Sequence, residues 1–225
     1  MMTDPSSNNL ISLAMQPVIR IGALAPEFSA RSTKGPIRLA DYRGQWLVFF
    51  SHPGAFTPVC TSEFVAFARA AEQFSALNCK LLGHSVDSLF ANLGWMRSIH
   101  DDFGIEIPFP VIEDPSLVVA HAYGMIDDSS THTAPVRACY FIDPEGRIAA
   151  MTAYPVTVGR SMGEILRIVE ALQRTHSGTV MTPVDWRPGD DVLDMPSIDT
   201  GDVVKAEKQT GWFYSLVADP GAQHG

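Results

Sequence analysis

Cysteine is scarce in this chain, and long hydrophobic runs are absent. The three cysteines, at positions 60, 79 and 139 of 225 residues, are too far apart for a disulfide framework or a zinc knuckle. A reducing compartment is the default for such a chain, so we expect a cytoplasmic protein. No apolar stretch approaches the length of a membrane span, which is about 20 residues. The N-terminus lacks a basic region before its short apolar part, which argues against a secretory signal.

Basic residues are also in short supply. Lys and Arg number 16 against 25 Asp and Glu, which leaves a net charge of −9. Nucleic acids and anionic membrane surfaces both attract basic faces, so neither partner is expected. The histidines at 84, 100, 121 and 132 do not follow a metal-ligand spacing. We therefore expect neither a catalytic metal nor another cofactor.

Strand and helix patterns alternate along the middle of the chain. WLVFFS, residues 46–51, is continuously apolar and predicts a strand buried on both faces. A helix follows with Phe64, Phe67 and Phe74 on one side, then the strand CKLLGHSV. The next helix has Asp87 as its expected N-cap and Leu89, Leu93, Met96 and Ile99 on its buried face. A hairpin, RACYFID and RIAAMTAY, precedes the amphipathic helix SMGEILRIVEALQRT. This order predicts an α/β fold with a mixed sheet, in a thioredoxin-like arrangement.

The two ends of the chain differ from this middle part. Residues 1–16 are polar and turn-rich, which predicts a flexible extension before a domain at 17–175. Residues 176–225 are rich in Pro, Asp and Gly and show no long periodicity. They nevertheless keep several large apolar side chains, namely Val184, Trp186, Val192, Leu193, Trp212 and Phe213. We expect this segment to pack against a second copy of the chain as a dimerisation domain.

Cys60 has the surroundings of a reactive thiol. It follows a loop and opens a predicted helix, where unpaired backbone N–H groups and the helix dipole favour a thiolate. A dithiol oxidoreductase would have a second cysteine at position 57, but Thr57 stands there with a hydroxyl that donates and accepts. Pro53 and Pro58 stiffen the loop. Cys79 and Cys139 lie in strand-like apolar runs, where cysteine is usually a small buried hydrophobe.

The loop sequence resembles a known family. PGAFTPVC contains Pro53, Thr57 and Cys60 in the Pro-x-x-x-Thr-x-x-Cys signature of peroxiredoxins, and SHPGAFTPVCTSEF resembles the one-cysteine subfamily with a histidine, His52, before the proline. Further segments follow the family's order and spacing, among them IGALAPEF, FPVIEDPS, VRACYFIDPEGRI and YPVTVGRSMGEILRIVEAL. TPVDWRPGDDV resembles the start of the subfamily's small C-terminal domain. The resemblance covers about residues 17–213.

The resemblance implies a thiol-dependent peroxidase that reduces hydrogen peroxide and organic hydroperoxides in antioxidant defence. Cys60 would attack the peroxide and become a sulfenic acid, Thr57 would bond to peroxide and thiolate, and Pro53 would shield the sulfur. The family's arginines match Arg137 and Arg160. Two supporting residues complete the expected site: Glu63, which would orient the arginines, and His52, which either forms a wall of the site or bonds to the loop backbone.

The reductant and the assembly are less closely specified. Without an evident resolving cysteine, the sulfenic acid is expected to meet an external thiol, from glutathione, glutaredoxin or thioredoxin, or else ascorbate. A homodimer or larger homo-oligomer is expected. Two other functions stay open: a cysteine hydrolase that pairs Cys60 with His52 as base, and a peroxide-responsive sensor or holdase chaperone with incidental turnover. A lipase-type Gly-x-Ser-x-Gly motif is absent, so phospholipase activity is not predicted.

Overall fold

The computed structural model describes residues 19–126, 130–196, 199–205, 213–219 and 221. The expected extension at 1–16 and the side chain of Trp212 lie outside the described residues. Within those ranges no helix is both long and apolar enough to cross a bilayer.

A seven-stranded mixed sheet forms the centre of the molecule, in the order β2-β1-β5-β4-β3-β6-β7. β3, β4 and β5 are parallel, whereas β6 runs antiparallel to β3 and β7 antiparallel to β6. The strands are β1 (Ser29–Ser32), β2 (Gly35–Arg38), β3 (Trp46–Ser51), β4 (Cys79–Ser85), β5 (Val111–Glu113), β6 (Arg137–Ile142) and β7 (Ile148–Tyr154). The helices are α1 (Pro58–Ala76), α2 (Leu89–Phe103), α3 (Val118–Ala122) and α4 (Met162–Thr175), with a short 3-10 helix at Leu39–Tyr42. The predicted α/β, thioredoxin-like class is confirmed.

Both faces of the sheet are covered, and β3 takes part in both cores. All six of its residues are buried. Val48 and Phe50 face the core under α1, α2 and α4, while Leu47 and Phe49 face the core that includes α3. Successive residues of a strand point to opposite faces, so a strand covered on both sides must be apolar throughout. The continuous run at 46–51 was therefore correctly interpreted.

The start and the orientation of α2 differ from the prediction. Its N-cap is Ser88, whose Oγ accepts from the Ala91 N–H, and not Asp87. The buried face carries Asn92, Trp95 and Ile99, while Leu93 is 41% exposed. Burial of Asn92 is possible because its Nδ2 donates to the Ser88 carbonyl at 3.3 Å, which satisfies a polar group inside the core.

Part of the C-terminal region packs on its own chain. β8 (Val180–Met181), β9 (Val192–Asp194) and β10 (Leu216–Val217) form a small antiparallel sheet, and α5 (Thr200–Lys205) lies between the last two strands. Trp186, Val180 and Val192 form a buried cluster against Ala171 of α4. Val184 and Phe213 are 87% and 69% exposed. The dimerisation role of residues 176–225 therefore stays a prediction for the exposed side chains only.

β7 forms one outer edge of the sheet. Its first residue bonds to residues 22–24, since the Gly22 N–H donates to Ile148 O at 2.8 Å. Along the rest of the strand, no other strand of the described ranges pairs with the outer edge. Met151 on this edge is 46% exposed. An unpaired strand edge is a template for a further strand.

Candidate active site

Cys60 lies in the first turn of α1. Thr57 is the N-cap with extended backbone angles and Pro58 is the first helical residue, a position where a missing N–H costs nothing. The first helical hydrogen bond runs from the Thr61 N–H to Thr57 O at 2.9 Å. Cys60 is a free thiol and is fully buried. Cys60 thus lies at the end of the helix where backbone N–H groups have no helical partner and the dipole is positive.

Two side chains hold the loop between β3 and α1. The hydroxyl of Thr57 donates to Gly54 O at 2.8 Å, so its proton is used inside the loop and its lone pairs remain available. The carboxylate of Asp87 accepts from the Ala55 N–H at 2.8 Å and from Ser85 Oγ at 2.9 Å. Asp87, expected as a helix cap, thus anchors the loop that carries the cysteine. The bond from Thr57 to the thiolate remains a prediction.

Arg137 reaches Cys60 from the first residue of β6. Its Nη1 is 3.3 Å from Cys60 Sγ and 2.8 Å from Glu63 Oε2. Nε and Nη2 both donate to Val156 O, at 3.0 and 2.7 Å. Ser51 fixes this end of β6, because its Oγ donates to Val136 O and accepts from the Ala138 N–H. A guanidinium with fixed donors on the sulfur suits a reaction that develops negative charge.

Glu63 joins the two arginines. Its carboxylate accepts from Arg137 Nη1 and from three groups of Arg160, namely the backbone N–H, Nε and Nη2, at 2.7–2.9 Å. Glu63 and Arg137 are 2% exposed, and the Arg160 side chain is fully buried. Burial opposes the charge of Arg160, yet contacts with Cys139 and Glu63 raise the pKa of Arg160 above its ordinary value. Its guanidinium also stacks over Phe50, 5.3 Å from the ring centroid.

His52 is enclosed by aromatic rings. Its ring centroid lies 4.9 Å from that of Phe64 and 5.1 Å from that of Trp95. A backbone hydrogen bond with Gly54 of the loop acts to raise the pKa of the ring. Burial, with the charges of His84 and Arg160, outweighs it and lowers the pKa of His52 to about 3. The imidazole is therefore neutral at neutral pH. It has both an aromatic enclosure and a contact with the loop backbone, so both expected roles stay predictions.

A cavity of about 490 Å³ opens beside this network. Its lining includes Pro53, Thr57, Val59 and Arg137. Cys60 itself does not line the cavity, but Arg137 lines it and contacts the sulfur. The sulfur thus lies one side-chain layer behind the cavity wall. Five lining residues were not anticipated from the sequence: Val59, His132, Ala134, Val156 and Thr157.

A larger cavity, about 630 Å³, lies between α1 and α2. It is lined by Thr61, Trp95 and Phe103 among others, and it shares Thr57 and Pro58 with the smaller cavity. Neither Arg137 nor Pro53 lines it. We assign the chemistry to the smaller cavity because the guanidinium that contacts the sulfur opens there.

The other two cysteines are buried in strands, as predicted. Burial raises the pKa of Cys79 to about 12 and raises the pKa of Cys139 as well. Cys139 differs from the prediction in one respect, because its Sγ lies 3.5 Å from Arg160 Nη1. Strand position alone gave no sign of this contact, which depends on the loop after β7.

One set of side chains in the described ranges is close enough to share a metal ion: Asp143, Glu145 and His176. They lie on the β6–β7 turn and at the end of α4, outside the lining of both cavities. His176 already bonds to Glu145 at 3.4 Å. Nothing in this arrangement connects an ion to the thiol chemistry.

The structure brings together six of the seven site residues that the sequence singled out; His52 lies among Phe64 and Trp95 and lines neither cavity. Cys60, Glu63, Arg137 and Arg160 form one continuous network of contacts, and Thr57 and Pro53 line the cavity beside it. Ser51 and the carbonyl of Val156, which position Arg137, were missed. A backbone carbonyl leaves no residue-type signal, so the only pointer to Val156 was its place between a predicted strand and helix.

Comparison with known proteins agrees with this geometry. The sequence profile of the AhpC/TSA family matches residues 21–151, more than half of the chain. The peroxiredoxin of Thermoplasma volcanium is 41% identical over 204 residues, which is 89% of this chain and 99% of that protein. Peroxiredoxin 2 of Caldanaerobacter subterraneus subsp. tengcongensis is 48% identical over 177 residues, 79% of this chain and 80% of that protein.

Solved structures give the same result. A yeast mitochondrial 1-Cys peroxiredoxin superposes with a TM-score of 0.77 at 36% identity, covering 88% of this chain and 100% of that one. A cysteine-to-serine mutant of the peroxiredoxin 6 of Arenicola marina superposes with a TM-score of 0.79 at 31% identity, covering 90% and 99%. The chain therefore belongs to the AhpC/TSA family as a peroxiredoxin, a thiol-dependent peroxidase.

Proposed function

We propose that the protein reduces hydrogen peroxide and organic hydroperoxides at Cys60. The thiolate of Cys60 attacks the terminal peroxide oxygen, an S–O bond forms, and the O–O bond breaks. The products are a sulfenic acid on Cys60 and a hydroxide or alkoxide, which takes up a proton and leaves as water or alcohol. The contact of Arg137 Nη1 with both Cys60 Sγ and Glu63 Oε2 carries this proposal.

Charge stabilisation has to supply more of the rate than ionisation of the thiol. An unperturbed cysteine is about 3% thiolate at pH 7, so complete ionisation gains at most about 30-fold, or about 2 kcal/mol. Part of this gain is lost because nucleophilicity falls as the thiol becomes more acidic. Arg137 provides the remaining effect: it is held by Glu63 and Val156 O before the peroxide arrives, so no reorganisation is needed as charge develops.

Thr57 and Pro53 act on the substrate side. The Thr57 proton is donated to Gly54 O, so the hydroxyl oxygen accepts from the O–H of a bound peroxide. Pro53 has no N–H to offer water and shields the sulfur from the cavity. His52 is neutral and packs against Phe64, and in this proposal it forms a wall of the site.

We also propose a one-cysteine cycle. Cys79 and Cys139 are buried in strands, and the chain has no cysteine after position 139. An external thiol therefore attacks the sulfenic sulfur, water leaves, and a second thiol releases Cys60 from the mixed disulfide. The yeast 1-Cys peroxiredoxin is described with a thiol resolving mechanism via glutathione/thioredoxin systems. This favours glutathione, glutaredoxin or thioredoxin over ascorbate for the present chain.

A homodimer fits the open edge of the sheet. Beyond Ile148 the outer edge of β7 has no partner strand in the described ranges, and Met151 is exposed there. Pairing of two β7 edges would satisfy these backbone groups. Because the cycle needs a free Cys60 and a supply of thiol, we place the protein in the cytoplasm.

The alternative functions find less support. A cysteine hydrolase needs an imidazole that accepts a proton from the thiol, whereas His52 is held neutral in an aromatic enclosure with its pKa lowered to about 3. A sensor or holdase would need rapid oxidation without a productive reductant. The organised arginine network around a reduced sulfur favours turnover instead.

The experiment is a peroxide-consumption assay with hydrogen peroxide and an organic hydroperoxide against a panel of reductants. The panel contains glutathione with glutaredoxin, thioredoxin with its reductase, and ascorbate. Multiple turnovers with one thiol system, absent in Cys60→Ser, are expected. Single-turnover oxidation that no member of the panel reverses would favour the sensor, and ester hydrolysis dependent on Cys60 would favour the hydrolase.

A further inference from the structure

Besides Cys60, Cys139 is the cysteine that contacts the active-site network. It lies two residues after Arg137 in β6, so the two side chains point to the same face of the sheet. It is fully buried, and its register partners are Phe50 on β3 and Thr152 on β7. Its Sγ lies 3.5 Å from Arg160 Nη1. The proposed cycle gives this thiol no role.

The contacts form a continuous series with a thiol at each end. From Cys60 Sγ they run through Arg137 Nη1, the Glu63 carboxylate and the Arg160 guanidinium to Cys139 Sγ. No donor–acceptor distance in this series exceeds 3.5 Å. A change of charge at one thiol is therefore transmitted to the other through two guanidinium groups and one carboxylate.

The charges of this contact network do not balance while both thiols are protonated. Two arginines and one glutamate leave one unit of positive charge in a buried place. Buried charges are costly unless they are paired. A single thiolate balances the network, and Cys60 and Cys139 are the two groups positioned to supply it.

The two thiols are not equivalent. Cys60 has the N–H groups of the first turn of α1 beside it, while Cys139 lies in the middle of a strand. Burial raises the pKa of Cys139, although the Arg160 guanidinium acts in the opposite direction. Thr152 opposite Cys139 is neutral, and His52 near Cys60 is neutral as well. His84, on β4, is engaged with Asp114 at 3.1 Å.

We propose that Cys139 is a positioning residue for the peroxidase reaction: as a neutral acceptor it holds Arg160 against Glu63 and leaves the surplus positive charge of the network to the Cys60 thiolate. The inference rests on the assignment of Cys60 as the reacting residue. The proposal requires an uncharged side chain at position 139, which packing alone does not require.

A pair of variants of nearly equal shape separates charge from packing. Cys139→Asp adds a second carboxylate, so the arginines are balanced without a thiolate at Cys60. We expect the pH at which Cys60 ionises, followed by thiolate absorbance in the Cys79→Ser background, to rise by about one unit. The rate of Cys60 oxidation by hydrogen peroxide at pH 7 should fall about tenfold below that of Cys139→Asn, and recover at higher pH. Equal titrations and equal rates for the Asp and Asn variants would overturn the proposal.

A second pair covers the case in which the Asp variant does not fold. Cys139→Ser keeps an acceptor for Arg160 Nη1, whereas Cys139→Val removes it at similar volume. We expect the Val variant to be oxidised about fivefold more slowly than the Ser variant and to ionise Cys60 at a different pH. If the two variants have the same titration and rate, Cys139 acts only as filling of the core. Loss of activity in Cys60→Ser, measured beside them, shows that such a failure concerns Cys139 and not the assignment of Cys60.

Discussion

Arg137 shares one guanidinium nitrogen between the reacting cysteine and the buried carboxylate: Nη1 is 3.3 Å from Cys60 Sγ and 2.8 Å from Glu63 Oε2. The donor is therefore aimed at the sulfur by an ion pair that exists without substrate. Its other nitrogens are occupied by Val156 O, which prevents the group from turning away. The proposed catalysis and the folded core thus involve the same side chain.

The planar guanidinium of Arg137 should be needed for the reaction, although lysine carries the same charge. Arg137→Lys should leave the fold intact and slow Cys60 oxidation at least about tenfold, or about 1.4 kcal/mol, because an ammonium cannot reach the sulfur, Glu63 and Val156 O together. Stopped-flow oxidation by hydrogen peroxide measures the rate. Arg97→Lys, on the exposed side of α2, is the control. A rate equal to wild type would remove Arg137 from the mechanism.

Removal of the Glu63 charge should lower the free energy of unfolding and raise the ionised fraction of Cys60. Glu63→Gln leaves two buried guanidinium groups without a counter-charge, so the free energy of unfolding should fall by about 3 kcal/mol. The same excess of positive charge favours the thiolate, so a larger fraction of Cys60 should be ionised at any given pH below its midpoint. Urea unfolding and thiolate absorbance measure the two effects.

The control for that variant is Glu72→Gln, on the exposed side of the same helix. It should change neither quantity. If Glu63→Gln lowers stability but leaves the thiolate fraction unchanged, Glu63 supports the fold without acting on the sulfur.

We expect only one of the three cysteines to be required for peroxidase activity. Cys60→Ser should abolish peroxidase activity, and the Cys79→Ser, Cys139→Ser double variant should keep most of it while losing about 1–3 kcal/mol from hydroxyls placed in the core. Peroxide without reductant should carry Cys60 on to the sulfinic and sulfonic acids, since no partner thiol traps the first stage. Peptide mass spectrometry reads these products. A stoichiometric disulfide from Cys60 to Cys79 or Cys139 would contradict the one-cysteine cycle.

His52 should make the fold sensitive to acid. Its pKa is about 3 in the folded chain, against an ordinary value near 6.5. Between these values the unfolded chain binds a proton that the folded chain does not, so stability is complete above about pH 6.5 and is lost as the pH falls. Between pH 7 and pH 5, wild type should lose about 2 kcal/mol more than His52→Leu in urea unfolding.

The matched control is His100→Leu, whose side chain is 60% exposed. This variant should follow wild type at both pH values. Parallel losses in wild type and His52→Leu would mean that the buried imidazole takes up a proton in the folded state.

The site was more predictable than the details that position it. β3 could be predicted because a strand covered on both faces needs an unbroken apolar run, here the five residues before Ser51. Cys60, Thr57, Arg137, Glu63 and Arg160 followed from the resemblance of whole segments. β5 was not predicted, because three residues carry no periodicity. The buried face of α2 was only partly predicted: Ile99 and Met96 pack in the core, whereas Leu93 is exposed. Asn92 and Trp95 also face inward there, and Asn92 Nδ2 and Trp95 Nε1 each donate a hydrogen bond.

The contact of Cys139 with Arg160 shows another limit. Arg160 comes from the loop after β7 and meets β6 only in the folded chain. Residue type and strand position predict an inert thiol at 139. What changes its surroundings is a residue 21 positions away, which hydropathy cannot indicate.

Cys60 is completely buried within the first turn of α1, and we expect this burial to select its partners by size. A peroxide is small, whereas a protein thiol has to bring a whole polypeptide surface with it. We therefore expect the intact helix to admit a peroxide and a protein reductant to require that this turn opens. With a protein reductant, the lifetime of the sulfenic acid would depend on how often that turn of helix unwinds. Variants that make this turn more stable would be better folded and, at high peroxide, more quickly lost to irreversible oxidation.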